Sequence, residues 1–330
     1  MGRRDDVALP ELVERARGAD PRAVARLITM VESGSPGLPE LAALLVPDSG
    51  YAHVVGLTGA PGVGKSTATS ALVGALRRQE RRVGVLAVDP TSPFSGGALL
   101  GDRIRMQTHA TDAGVLIRSM ATRGHLGGLA AAVPLALRVL DAARCDVTLL
   151  ETVGVGQSEV DVAGSADTTL VLLAPGLGDG VQAAKAGVLE IADVFVVNKA
   201  DRDGAGRVAA DLRQMLGLGG PHSAAGSWRP MIVMTSAEQG TGIDDVLAAI
   251  AKHRAWLDGA DRLHQRRVRR AAREIEGLTL AQLRARLGGV RHGGALAELA
   301  AAVVERRTDA HAAARLLADG AIPPGSGPSR

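Results

Sequence analysis

Cysteine occurs once in these 330 residues, as Cys145, so an intrachain disulfide is impossible and a cysteine-rich metal site is excluded. Its neighbours, ahead of the apolar run from Val147, suggest a buried strand thiol. Aromatic residues are almost as scarce: two Phe, two Trp and one Tyr leave little for stacking on nucleobases. No apolar run reaches the roughly 18 to 20 residues needed to cross a bilayer. The first residues, Met1-Gly2-Arg3-Arg4-Asp5-Asp6, lead into no apolar signal core, and the expectation is a cytoplasmic protein without membrane contact.

Lysine is the third shortage. Only positions 65, 185, 199 and 252 carry it, against 34 Arg. A Lys that survives this bias is expected where Arg cannot replace it, and Lys65 and Lys199 are the two of the four that fall in candidate nucleotide-binding segments. Net charge is +3, but from Leu257 onward 13 Arg face 8 acidic residues, which puts +5 on that tail. The run Arg266-Arg267-Val268-Arg269-Arg270, with Arg273 beyond, is of a kind that binds phosphate backbones. The shortage of aromatics favours instead a solvated helix face and no nucleic acid partner.

What the chain has in quantity is patterned apolar sequence, 46% of all residues, enough for one large core or two domains. Residues 1–50 place Leu9, Leu12, Val13 and Ala16, then Val24, Leu27, Ile28 and Val31, at helical spacing, which predicts an N-terminal helical segment. From 51 to 257 short apolar runs alternate with helical stretches, the pattern of a doubly wound, mostly parallel α/β sheet. Strands are expected at Val54 to Thr58, Val83 to Val88, Val115 to Arg118, Val147 to Glu151, Thr169 to Leu173, Val194 to Asn198 and Met231 to Thr235. Residues 258–320 read as Arg- and Ala-rich helix broken near Gly288-Gly289 and Gly293-Gly294. Such an appendage cannot bury its apolar face alone, so it is expected to be a dimerisation arm of a homodimer. The Pro- and Gly-rich residues 321–330 are expected to be disordered.

Between the first predicted strand and the next helix, Gly59-Ala60-Pro61-Gly62-Val63-Gly64-Lys65-Ser66 fits G-x-x-x-x-G-K-S, flanked by Thr58 and Thr67. That context predicts a P-loop NTPase fold. The glycines let backbone N–H groups turn inward at a helix amino terminus, where anionic oxygens are favoured. Lys65 is suited to reach the β- and γ-phosphates, and the Ser66 hydroxyl to ligate Mg²⁺.

Asn198-Lys199-Ala200-Asp201 follows a later strand. A carboxylate at Asp201 accepts from both the guanine N1–H and its exocyclic amine, whereas adenine has no such donor pair. Asn198 is expected to brace the loop and base, and the Lys199 stem to lie along the ring. After the last strand come Thr235, Ser236, Ala237 and Glu238, where a backbone N–H, assigned to Ala237, can donate to guanine O6. Together the two motifs predict a GTPase that binds GTP and GDP.

The strand ending Glu151-Thr152-Val153-Gly154 carries E-x-x-G where many GTPases carry D-x-x-G. Glu151 can hold Mg²⁺ directly or through water, the longer side chain favouring water, while the Gly154 N–H meets the γ-phosphate. Asp89, at the end of the second strand, is assigned to Mg²⁺ or the attacking water. Asp102 is a further candidate, in a loop that GTP alone could equally order, and either Asp could instead form a structural ion pair. Lys65, Asp89, Asp102 and Glu151 are thus the candidate catalytic residues, and Ser66, Asp89, Asp102 and Glu151 the candidate metal ligands. Val155 stands where a water-orienting Gln follows the switch glycine in Ras-like enzymes, and the nearest Gln is Gln157. Slow intrinsic hydrolysis is expected, with a partner or second subunit completing the site.

With these motifs assembled, the chain resembles the MeaB/ArgK family of GTPases, from about Leu38 to Trp256. The most specific stretches are Val88-Asp89-Pro90-Thr91-Ser92-Pro93-Phe94-Ser95-Gly96-Gly97, Leu100-Gly101-Asp102-Arg103 and Glu151-Thr152-Val153-Gly154-Val155-Gly156-Gln157-Ser158-Glu159. The resemblance implies GTP hydrolysis with Mg²⁺, a dimer, and a chaperone role toward an adenosylcobalamin-dependent methylmalonyl-CoA mutase, in which hydrolysis gates cofactor delivery and protects the mutase. The family's mobile segment matches at Asp179, Gln182 and Lys185, with Gly180 where an acidic residue is usual, so signalling to the mutase is expected to differ in detail. Related GTPases that insert nickel supply Cys and His ligands, which one Cys and eight scattered His do not match. An ATP-using phosphotransferase fits the P-loop but fits Asp201 poorly, and a nucleotide-binding scaffold that barely hydrolyses is the third reading.

Overall fold

The computed structural model describes residues 7–90, 107–109, 111–122, 128–152, 164–176, 189–217, 226–292 and 294–318. Three helices come first, α1 (Leu9–Arg17), α2 (Pro21–Ser33) and α3 (Leu38–Leu45). The α/β region follows as β1 (His53–Thr58), α4 (Lys65–Arg78), β2 (Val83–Pro90), β3 (Val115–Thr122), α5 (Gly128–Ala142) and β4 (Val147–Thr152). It continues as β5 (Thr168–Leu173), β6 (Val194–Val197), α6 (Ala205–Gly217), β7 (Met231–Met234) and α7 (Ile243–Asp258). All seven expected strands form, β3 running on to Thr122. Their order is β3-β2-β4-β1-β5-β6-β7. Every pairing is parallel, so the expected mostly parallel sheet is wholly parallel among the described strands.

Strands buried on both faces explain the continuous apolar runs of the sequence. Successive side chains point to opposite faces: Val54, Leu86 and Leu150 pack in one core with α2 and α5, while Val55, Val85 and Leu149 pack in another with α4 and α7. The N-terminal helices belong to the first core. Asp20 caps α2 by accepting from the Arg22 and Ala23 N–H groups, Pro21 starts it, and Val24, Leu27, Ile28 and Val31 make its buried stripe.

Two sequence expectations need correction in this region. Cys145 is buried, but it lies in the turn between α5 and β4 rather than in a strand, and its N–H donates to Leu140 O. The arginine run is not a solvated face. Asp167 and Asp193 sit buried at the amino-terminal ends of β5 and β6, where an ionised carboxylate demands a partner. Arg266 forks onto Asp193 at 3.1 and 2.8 Å, and Arg267 onto Asp167 at 3.2 and 2.9 Å. Arg270 adds Ser165 O at 2.8 Å. Only Val268 and Arg269 of the run face solvent.

The chain divides into two compact units, Met1–Ala272 and Arg273–Arg330. α8 (Arg262–His292) carries the boundary. It continues through Gly288-Gly289, where a break was expected. Each helical glycine costs about 1 kcal/mol against alanine, which a long helix of good formers absorbs. The turn comes at Gly294, left-handed at φ +82°, before α9 (Ala295–Val304) and α10 (Ala310–Ala318). Those two helices pack on each other, and Asp309 caps α10 by accepting from the His311 and Ala312 N–H groups.

Candidate functional site

The loop between β1 and α4 is shaped by two close approaches. A Cβ on Gly59 (φ +141°) would stand 2.3 Å from Leu172 O of β5, and one on Gly64 (φ +93°) 2.5 Å from Asn198 Nδ2. Only glycine fits either place. The loop therefore lies tight against the carboxyl ends of the central strands, where parallel α/β sheets bind ligands. Lys65 is the first residue of α4, and its Nζ folds back to donate to Gly59 O at 2.6 Å and Ala60 O at 3.2 Å. The ammonium thus sits over the loop that leads into its own helix. A cleft of about 810 Å³ opens here, its lining running from Glu151 past Lys65 and Ser66 to Lys199 and Glu238.

Glu151 reaches this cleft from β4. It is 2% exposed, and both its oxygens are engaged: Oε1 accepts from Ser66 Oγ at 2.7 Å, Oε2 from Thr69 Oγ1 at 2.8 Å. The structure thus brings Lys65, Ser66 and Glu151 together. Thr69 was missed from sequence. The one available signal was its place four residues after Lys65, which puts it on the same face of the helix.

The register of β2 against β4, Ala87 opposite Glu151 and Val88 opposite Thr152, sets the Asp89 backbone at this same end of the sheet. The Asp89 side chain is outside the described set. So are Asp102, Gly154, Val155 and Gln157, and the segment with Asp179, Gly180, Gln182 and Lys185.

On the other side, Asn198 ties three segments together. Its Nδ2 donates to Val63 O at 2.9 Å, while Oδ1 accepts from Thr235 Oγ1 at 3.2 Å and from the Ala237 N–H at 3.0 Å. The N–H assigned from sequence to guanine O6 here donates to Asn198, because the amide oxygen faces the turn after β7. Lys199 adopts a left-handed φ of +57°, uncommon for a side-chain-bearing residue, and its Nζ donates to Gly62 O at 2.7 Å. Asp201 is exposed, with Oδ1 accepting from Ser236 Oγ at 2.7 Å. That hydrogen bond holds its carboxyl below the ordinary aspartate range. The site accordingly offers an ionised acceptor at one end, an ammonium held by loop carbonyls at the other, and a hydroxyl–carboxylate pair between α4 and β4.

Known proteins resemble this chain over most of its length. The family model described as Methylmalonyl Co-A mutase-associated GTPase MeaB matches residues 24–290. A candidate GTPase of Pyrococcus abyssi is 46% identical over 309 residues, 94% of this chain and 95% of that protein. GTPase ArgK of Escherichia coli is 37% identical over 267 residues, 79% of this chain and 80% of the relative. Among solved structures, an LAO/AO transport system kinase aligns with a TM-score of 0.71 at 25% identity, covering 97% of this chain and 99% of the other.

Proposed function

The chain belongs to the family of methylmalonyl Co-A mutase-associated GTPases MeaB, and from that premise we propose that it hydrolyses GTP with Mg²⁺ and thereby regulates an adenosylcobalamin-dependent methylmalonyl-CoA mutase. The observation that carries the guanine assignment is Asp201, ionised and aimed by Ser236 on a loop that Asn198 fastens to the P-loop. Adenine in the same pose leaves that carboxylate without donors. The name of the similar transport system kinase suggests a phosphotransferase, and the guanine-matched loop weighs against ATP as its donor.

Mg²⁺ suits the donor set. Ser66 Oγ and Glu151 Oε1 are hard oxygens side by side in a buried position, the ligand type magnesium prefers. When bound, the ion neutralises charge developing on the β- and γ-phosphate oxygens. Lys65, swung from its loop carbonyls, adds a second positive charge, and the loop N–H groups fix the phosphate chain. Turnover by the isolated chain is slow in this reading, and the mutase or a second subunit supplies what orients the attacking water.

Residues 51–257 form the GTPase domain in this proposal and 258–320 the homodimerisation arm. Exposed Ile275, Leu278 and Leu283 on α8 support the latter, and sedimentation as a monomer at high concentration would remove it. No described helix is long and apolar enough to cross a membrane, and the cytoplasm is the proposed location.

Titration of GDP and ADP into the parent and Asp201→Asn tests the core of the reading. The parent should prefer GDP strongly and the variant should lose that preference. A parent that prefers ADP refutes the guanine assignment. Co-purification with the mutase, and a change of GTP turnover when it is added, test the partner; absence of both removes the mutase role and leaves the GTPase.

A further inference from the structure

Thr69 is fully buried in the first turns of α4. Its Oγ1 lies 2.8 Å from Glu151 Oε2 and 3.0 Å from Lys65 O, while Ser66 Oγ lies 2.7 Å from Glu151 Oε1. One helix therefore grips both oxygens of a carboxylate that arrives from β4. We propose that Thr69 is a positioning residue for nucleotide-bound Mg²⁺, turning the Glu151 carboxylate so that Oε1 is presented beside Ser66 Oγ. This inference rests on the guanine-nucleotide reading above.

The physical need comes from Glu standing where Asp is common. Glu has one more torsion than Asp, and its terminal torsion is broad and roughly two-fold, so the carboxylate plane is poorly set by the strand alone. Fixing it costs conformational entropy. A hydrogen bond to an ionised oxygen is short and strong enough to offset that cost. The second contact of Thr69 matters as well. Its hydroxyl has one proton, and the Lys65 carbonyl and the Glu151 carboxylate are both acceptors. The proton serves one at a time, so if Glu151 turns away the hydroxyl donates to Lys65 O and is not left unpaired. The clamp can hold and release without stranding a buried donor.

The test follows release of fluorescent GDP from the full chain against free Mg²⁺. In the parent, Mg²⁺ should slow release. Thr69→Val removes the hydroxyl at nearly constant shape, and Thr69→Ala is a second removing variant should the first melt early. Both should need about tenfold more Mg²⁺ to reach the midpoint, the scale of one hydrogen bond to a charged group. Release in excess chelator should stay as in the parent, and Thr69→Ser should restore the parental midpoint. An unchanged midpoint in both removing variants overturns the inference, as does faster release in chelator by the same factor, because Thr69 would then only support the helix. A parent that retains no GDP at any Mg²⁺ concentration overturns the guanine-nucleotide reading and the inference with it.

Discussion

Gly64 and Asn198 meet so closely that a Cβ on the glycine would lie 2.5 Å from the Asn198 Nδ2. The same amide nitrogen donates to Val63 O at 2.9 Å. The loop after β1 and the loop after β6 are thereby fastened to each other.

Gly64→Ala should break both halves at once. It forces the amide away and places a side chain at φ +93°, a strain of roughly 1 to 3 kcal/mol. Calorimetric titration should show GDP affinity reduced by tenfold or more, with a lower unfolding midpoint even without nucleotide. Parental GDP affinity in this variant would mean that the two loops adjust independently.

At the far end of β5, Asp167 is fully buried, and its neighbours decide its charge. Burial alone would raise its carboxyl, but the Arg267 hydrogen bond and the Arg270 and Arg267 charges hold it below the ordinary value. Asp167→Ala takes the carboxylate from both guanidinium groups and from the Val54 N–H, and breaking a buried pair costs about 3 to 5 kcal/mol. Urea unfolding should register that loss. Adding Arg267→Met should recover part of it, since the stranded charge is then gone. Strictly additive losses would show that Asp167 and Arg267 do not act as a pair.

The strands were legible because a parallel sheet buries both faces, so Val194 to Val197 or Val83 to Val88 reads as an unbroken apolar run. The P-loop and the Asn198 to Asp201 motif were legible because their chemistry is local in sequence. Contacts between distant segments were not. Thr69 looks like any helical threonine until β4 brings Glu151 beside it from 82 residues away. Arg266 and Arg267 show their charge in sequence, but their carboxylates lie 73 and 100 residues earlier, so an isolated basic run resembles a solvated face. Cys145 is buried although Arg144 and Asp146 flank it, because it packs in the core beside Leu140 and Ala143. Its place in a turn depends on where α5 ends, and helix ends are weakly marked.

Thr168 Oγ1 lies between two buried rings, 2.9 Å from His53 Nε2 and 2.8 Å from His253 Nδ1. Burial lowers both imidazoles to about 4, with the Arg254 charge also acting against protonation at His53 and the Arg266 charge at His253. Asp193 Oδ1, 3.3 Å from His253 Nε2, pulls the other way. Arg266, forked onto the same carboxylate, cancels much of that pull. Between pH 4 and an unfolded value near 6.5 the unfolded chain therefore binds more protons than the folded one. Stability from this source is fully present above about pH 6.5 and is lost as pH falls toward 4, at roughly 1.4 kcal/mol per unit for each ring. The unfolding free energy from urea titration should thus drop between pH 7 and 5 by about 2 kcal/mol for each ring, and the midpoint with it. Replacing both rings, as His53→Gln with His253→Gln, should flatten that slope even if the variant starts less stable. A midpoint that rises on acidification would mean that a ring is protonated in the folded protein, with the Asp193 attraction outweighing burial.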